Sequence, residues 1–181
     1  MSTASGGSLL LSALETASAA RTHCEDLALD RTLAESLIVC ATCWYRLSAV
    51  GSRLPASSSA HHGRTQNIIN ISSDLEKAIQ CLERVLPSCH ASEDQKLIGE
   101  ASLGLARCRI LLLPPAGRLQ PEATEEICHL LKTAEQCFLR QELTMEVLDT
   151  RALLALLWDA KGGAQMERDN VAREWQVLVE S

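Results

Sequence analysis

The chain has 181 residues, of which 30 are Leu and 23 are Ala, against one Phe, one Tyr and three Trp. Strong helix formers in that proportion, with so few strand-favouring residues, exclude an all-β domain. The net charge of −6, from 17 basic and 23 acidic side chains, excludes a general nucleic-acid or anionic-membrane binder, which needs a basic footprint.

Breakers and caps divide the chain into about seven helices. The first spans about Ser8 to Leu27, and the second runs from Asp30, a good N-cap, to Val50. Residues 51–72, rich in Ser, Gly and His around Pro55, read as a flexible loop between an N-terminal hairpin (1–50) and a block of hairpins (73–181). The third helix opens on Ser73 with Glu76 as a capping box and stops near Pro87. The fourth opens on Ser92 with Gln95 and ends at Pro114-Pro115, and the fifth starts at Pro121, where a missing N–H costs nothing. The sixth runs from about Leu143 to Lys161 and stops at Gly162-Gly163; a last helix carries the remainder.

Whole hairpins repeat along the sequence. Leu75, Ala78, Ile79, Leu82, Val85 and Leu86, shifted by 52, become Ile127, Leu130, Leu131, Ala134, Cys137 and Phe138. Ala78, Ile79, Leu82, Val85 and Leu86, shifted by 93, become Val171, Ala172, Trp175, Leu178 and Val179. Glu100 to Leu105 matches Arg151 to Leu156 at a shift of 51, with small residues at corresponding places. Repetition of hairpins is the signature of a stacked array, so the expected fold is all-α, antiparallel helical hairpins in a short α-solenoid.

The segment Asp74 to Pro87 resembles the second helix of a tetratricopeptide repeat, with Ala78, Leu82 and Val85 at its packing positions. Leu103-Gly104 resembles the Leu-Gly pair of a first helix. The hairpins here lie about 41 to 52 residues apart, where that family has 34, and the consensus aromatic positions are mostly vacant. In their order and spacing, Ala78 to Pro87, Glu100 to Leu112 and Ile127 to Arg140 are similar to the amino-terminal region of the helical-repeat (Mau-type) subunit of the cohesin loader. That resemblance implies a partner, namely an extended amino-terminal segment of a large HEAT-repeat loader subunit, held inside the superhelix. The acidic balance favours a basic segment.

Chemistry-bearing patterns are sparse. Cys40-Ala41-Thr42-Cys43 puts two thiols on one helical face with metal or redox spacing, but no second close Cys pair completes a zinc site. Only His23, Cys24, His61 and His62 are further candidates. The preferred reading is packed thiols beside Trp44, with a metal-binding or redox-sensing domain centred on Cys40 and Cys43 as the alternative. Cys89-His90 and Cys128-His129 are adjacent pairs whose side chains diverge by about 100° on a helix, so neither is a nucleophile with its base. Glu122, Glu125 and Glu126 fall in a first helical turn, where they favour the dipole. No phosphate loop, nucleophile elbow or cofactor motif is present in the sequence, so no enzyme and no cofactor is expected.

The expected function is therefore a scaffold binding a protein partner, without direct nucleic-acid or membrane contact. Glu100, Arg107 and Arg151 are the candidate groove residues. No apolar run reaches the roughly 18 residues of a membrane span, and no basic residue precedes Leu9-Leu10-Leu11 as in a signal peptide. Eight cysteines at helical positions suit free thiols in a reducing compartment, cytoplasmic or nuclear.

Overall fold

The structure is a computed structural model that describes residues 3–26, 30–53, 61–113 and 121–161, together with 169, 170, 172, 173, 176 and 177. Among the described residues the chain is all-α, with no strand. Its six helices are α1 (Thr3–Asp26), α2 (Asp30–Arg53), α3 (His61–Ala91), α4 (Gln95–Leu112), α5 (Pro121–Arg140) and α6 (Thr144–Lys161). They belong to two compact units, Met1–Ser88 and Cys89–Ser181. Of the expected seventh helix, the six described residues from Asp169 to Val177 are helical, and Trp175 lies outside the described residues.

In the first unit α1 and α2 form an antiparallel hairpin whose seam is built from small and sulfur-bearing residues. Leu14, Ala17, Cys40 and Cys43 are buried together, with Trp44 and Leu47 packed against them. Hydroxyls in these helices donate to the carbonyl one turn back, as Thr16 does to Ser12, Thr42 to Ile38 and Ser48 to Trp44. Of the three, Ser48 is buried, and the back-bond lets its hydroxyl enter the core without being orphaned.

The expected loop over 51–72 is corrected at both ends. Gly51–Arg53 finishes α2, and α3 begins at His61, twelve residues before Ser73; residues 54–60 lie outside the described residues. Between Gln66 and Leu86 the chain has neither Gly nor Pro to break it, and Ser72 bonds Glu76 within the helix (3.4 Å) where a capping box was expected. Pro87 does not stop α3 either. An interior proline forfeits one backbone bond, a cost of about 3 kcal/mol, and beyond it the helix continues to a closing turn that buries Cys89.

That turn identifies the repeat. Glu93 N–H donates to the His90 carbonyl and Asp94 N–H to the Cys89 carbonyl, both at 3.2 Å. Between α5 and α6, Glu142 N–H donates to Leu139 (3.2 Å) and Leu143 N–H to Phe138 (3.0 Å). Both are Schellman closures with a glutamate in the left-handed position, each at φ 55. The two turns are 49 residues apart. The same shift carries the buried residues Leu75, Ala78, Leu82, Val85 and Cys89 onto Thr124, Ile127, Leu131, Ala134 and Phe138, all at 2% exposure or less. It also carries Ile98, Ala101, Leu105 and Cys108 onto Val147, Thr150, Leu154 and Leu157, all buried. The period is thus 49, not the 51 or 52 read from the sequence: a slip of three residues keeps most of an amphipathic stripe in place, and α6 carries small and apolar residues on several faces, which a shift of 51 also matches.

The second unit stacks α4 on α5 and α5 on α6. Contacts fix α4 and α5 as antiparallel: Gln95 meets Arg140 (3.1 Å) at one end, and Arg109 pairs with Glu126 at the other. Between them Gly99 lies under the Phe138 ring, where an added Cβ would stand 2.7 Å from Phe138 Cε1. The N-cap of α4 is Asp94, whose carboxylate accepts from Leu97 N–H (3.2 Å), while Ser92 Oγ turns back to the Cys89 carbonyl. Asp94 replaces the expected Ser92 because the Schellman turn needs two further residues before the new helix can start.

Candidate protein-binding face

Three stripes divide the surface of α4. Ile98, Ala101, Leu105 and Cys108 form a buried stripe; Gln95, Gly99, Ser102, Ala106 and Arg109 form the stripe toward α5. Lys96, Glu100, Gly104, Arg107 and Leu111 share the third, within about 80° of arc at 100° per residue. This stripe is half-buried to exposed throughout. On α6 the positions one period on from Lys96, Glu100 and Arg107 are Met145, Asp149 and Leu156, and all three are exposed; Ala152, also exposed, corresponds to the buried Leu103, and Leu153, half-buried, to Gly104. The α4 and α6 stripes are joined by Arg107 Nη2, which meets Asp149 Oδ2 at 3.0 Å.

Glu100 and Arg107 therefore lie on one open face, two turns apart. Glu100 is paired with Lys96 at 3.7 Å. Arg151 is placed elsewhere: its Nε meets Glu135 Oε1 of α5 at 2.6 Å, with side-chain exposures of 13% and 19%. It occupies the position equivalent to the fully buried Ser102, on the stripe toward the hairpin partner. The structure joins Glu100 and Arg107 with Lys96, Asp149, Met145 and Leu156, which sequence reasoning missed. A shift of 49 applied to Lys96, Glu100 and Arg107 finds the last three; the shift of 51 came from matching small and apolar residues, which α6 carries on several faces.

The Cys40 and Cys43 pair sits inside the first unit, 2% and 5% exposed. Cys40 Sγ lies 3.9 Å from Ser18 Oγ. Burial pushes the Cys43 thiol above its ordinary value, with the neighbouring Cys40 adding to it. Cys81 is raised by burial and by Cys40, and partly lowered by Arg21 and Arg84. These environments keep the Cys43 and Cys81 thiols protonated near neutral pH, whereas metal ligation and nucleophilic attack both need the thiolate. Among the described residues no three His, Cys, Asp or Glu side chains are grouped to hold a metal ion; the side chains of His23, Cys24, His61 and His62 lie outside the described ones. Cys89 and Cys128 are buried while His90 and His129 are exposed, so each adjacent pair splits between core and surface.

Among the described residues no helix is long and apolar enough to cross a membrane. Compared with protein-family models, with curated proteins and with solved structures, the chain finds no match.

Proposed function

We propose that this chain is a non-catalytic helical-repeat scaffold that holds an extended segment of a partner protein. One observation carries the reading: the 49-residue repeat leaves three equivalent positions open on both helices, Lys96, Glu100 and Arg107 on α4 and Met145, Asp149 and Leu156 on α6, and Arg107 and Asp149 join the two. Successive first helices that present equivalent open positions can contact a partner segment at regular intervals, which is how repeat arrays bind extended chains. Such a segment is disordered alone and ordered when bound, so affinity comes from many contacts along the face. In the form suggested by the Mau-type resemblance, the segment belongs to the amino-terminal region of the large cohesin-loader subunit, and the protein acts in the nucleus.

The test is affinity capture from native extract followed by cross-linking mass spectrometry. The expected result is one partner region, extended and protease-sensitive when free, cross-linked to Lys96 and near both α4 and α6. Removing Leu143 to Ser181 should weaken its binding at least about tenfold while the remaining helicity is retained. Undiminished binding by the folded truncation would overturn the reading in favour of a single-patch contact.

A further inference from the structure

We infer that the α4–α6 face takes an uncharged, aliphatic segment of its partner and not the basic segment that the net charge suggests. The inference deepens the scaffold reading and rests on it. Lys96, Glu100, Arg107 and Asp149 are the charged residues of the two open stripes, and they are matched to one another, Lys96 with Glu100 at 3.7 Å and Arg107 with Asp149 at 3.0 Å. A lysine or arginine arriving on this face would have to displace Lys96 or Arg107 from its carboxylate, so the exchange gains little. Of the other acidic side chains, Glu122 and Glu125 are exposed on α5, and Glu93 and Glu142 stand in the Schellman turns that precede the two stripes. Beside the ion pairs the face offers apolar surface. Leu111, Met145 and Leu156 are 42%, 68% and 66% exposed, and Gly104 and Ala152 beside them are small enough to let a partner backbone approach. The pattern continues from α4 to α6 across the Arg107–Asp149 contact, so one extended segment meets apolar residues on both helices. Charge neutrality and exposed aliphatic side chains select a partner by shape and apolar contact, with Arg107 and Asp149 left paired beneath it.

The experiment selects 12-residue peptides from a displayed random library against the full chain and against its Leu156→Asp variant. Wild type should enrich peptides that are near-neutral and rich in Leu, Ile, Val or Met. Their binding should fall at least about tenfold in Leu156→Asp and in Leu111→Asp, and should change less than about twofold between 50 and 500 mM salt. Leu139→Asp, on the exposed side of α5 (48% exposed), should leave the affinity unchanged. Enrichment of Lys- and Arg-rich peptides, with binding that collapses in salt, would overturn the aliphatic inference while leaving the scaffold reading standing. Enrichment identical for wild type and Leu156→Asp would overturn the assignment of the face. A wild-type dimer abolished by Leu156→Asp would assign the face to a second copy of the chain and overturn the inference as well. Failure to enrich any peptide, together with failure to capture a partner from extract, would sink both.

Discussion

Helices α4 and α6 hold the same place in the 49-residue repeat but differ in how they meet their neighbours. Both bury four residues at the same spacing, Ile98, Ala101, Leu105 and Cys108 in α4 and Val147, Thr150, Leu154 and Leu157 in α6. On the next stripe α4 carries Gly99, Ser102 and Ala106, all buried, and Phe138 of α5 presses onto Gly99. The matching residues of α6 are Leu148, Arg151 and Ala155, all half-buried. Apolar periodicity thus maintains the repeat, while small residues on a second stripe determine how closely a hairpin closes. The third stripe, half-buried to exposed, is the one proposed for binding.

The common buried stripe predicts the largest effect. Leu131→Asp, and Leu82→Asp in the equivalent position, should each cost about 4 kcal/mol or more in urea unfolding, because an unpaired carboxylate replaces a side chain at 1% exposure or less. Glu83→Ala, on the exposed side of the same helix, should change stability by under about 0.5 kcal/mol.

Position 108 sharpens the contrast, since α4 has a buried thiol where α6 has Leu157. Burial pushes the Cys108 thiol up to about 12 from an ordinary 9.0. A group held protonated in the folded state contributes its full stability below the unfolded value and loses it as pH rises from 9 toward 12. Raising pH from 8 to 10.5 should therefore cost about 2 kcal/mol at this site. In Cys108→Ala that part of the alkaline loss should vanish, as read from urea midpoints at the two pH values.

Gly99→Ala should destabilise by about 1–2 kcal/mol, the overpacking against Phe138 exceeding the roughly 1 kcal/mol of helix propensity gained. Combining it with Phe138→Leu should cost less than the sum of the two single changes, because the smaller side chain vacates the clash. Additive behaviour would show that Phe138 does not set the hairpin spacing. The smallest effect belongs to the turns: Glu93→Gly and Glu142→Gly should each stabilise by about 0.5–1 kcal/mol by relieving a left-handed non-glycine residue, and by similar amounts in both. Unequal gains would argue that the two turns are not equivalent.

The all-helical class, the hairpin order and the burial of Cys40 and Cys43 beside Trp44 were legible in the sequence, since each follows from apolar spacing and breaker positions. What was not legible depends on contacts between helices. Nothing local distinguishes Ser92 from Asp94 as the N-cap until the preceding turn is seen to need Ser92 and Glu93 for its own closure. The start of α3 was hidden because Asn and Ser near residue 70 suit a loop, and in this chain they lie within a helix. On the candidate face, Glu100 and Arg107 were recognisable as polar positions of a first helix. Arg151 was assigned with them because a shift of 51 aligns it with Glu100, whereas the turns align Glu100 with Asp149.

The most direct test of the binding account is oxidative footprinting of side chains in the free chain and in its complex with the partner region captured from extract. Leu111, Met145 and Leu156 are exposed on the proposed face, and Leu139 is exposed away from it on α5. The account predicts that partner binding protects Leu111, Met145 and Leu156 together and leaves Leu139 as reactive as before. Protection of Leu139 with undiminished reactivity at Met145 and Leu156 would contradict it and move the binding site off the α4–α6 face.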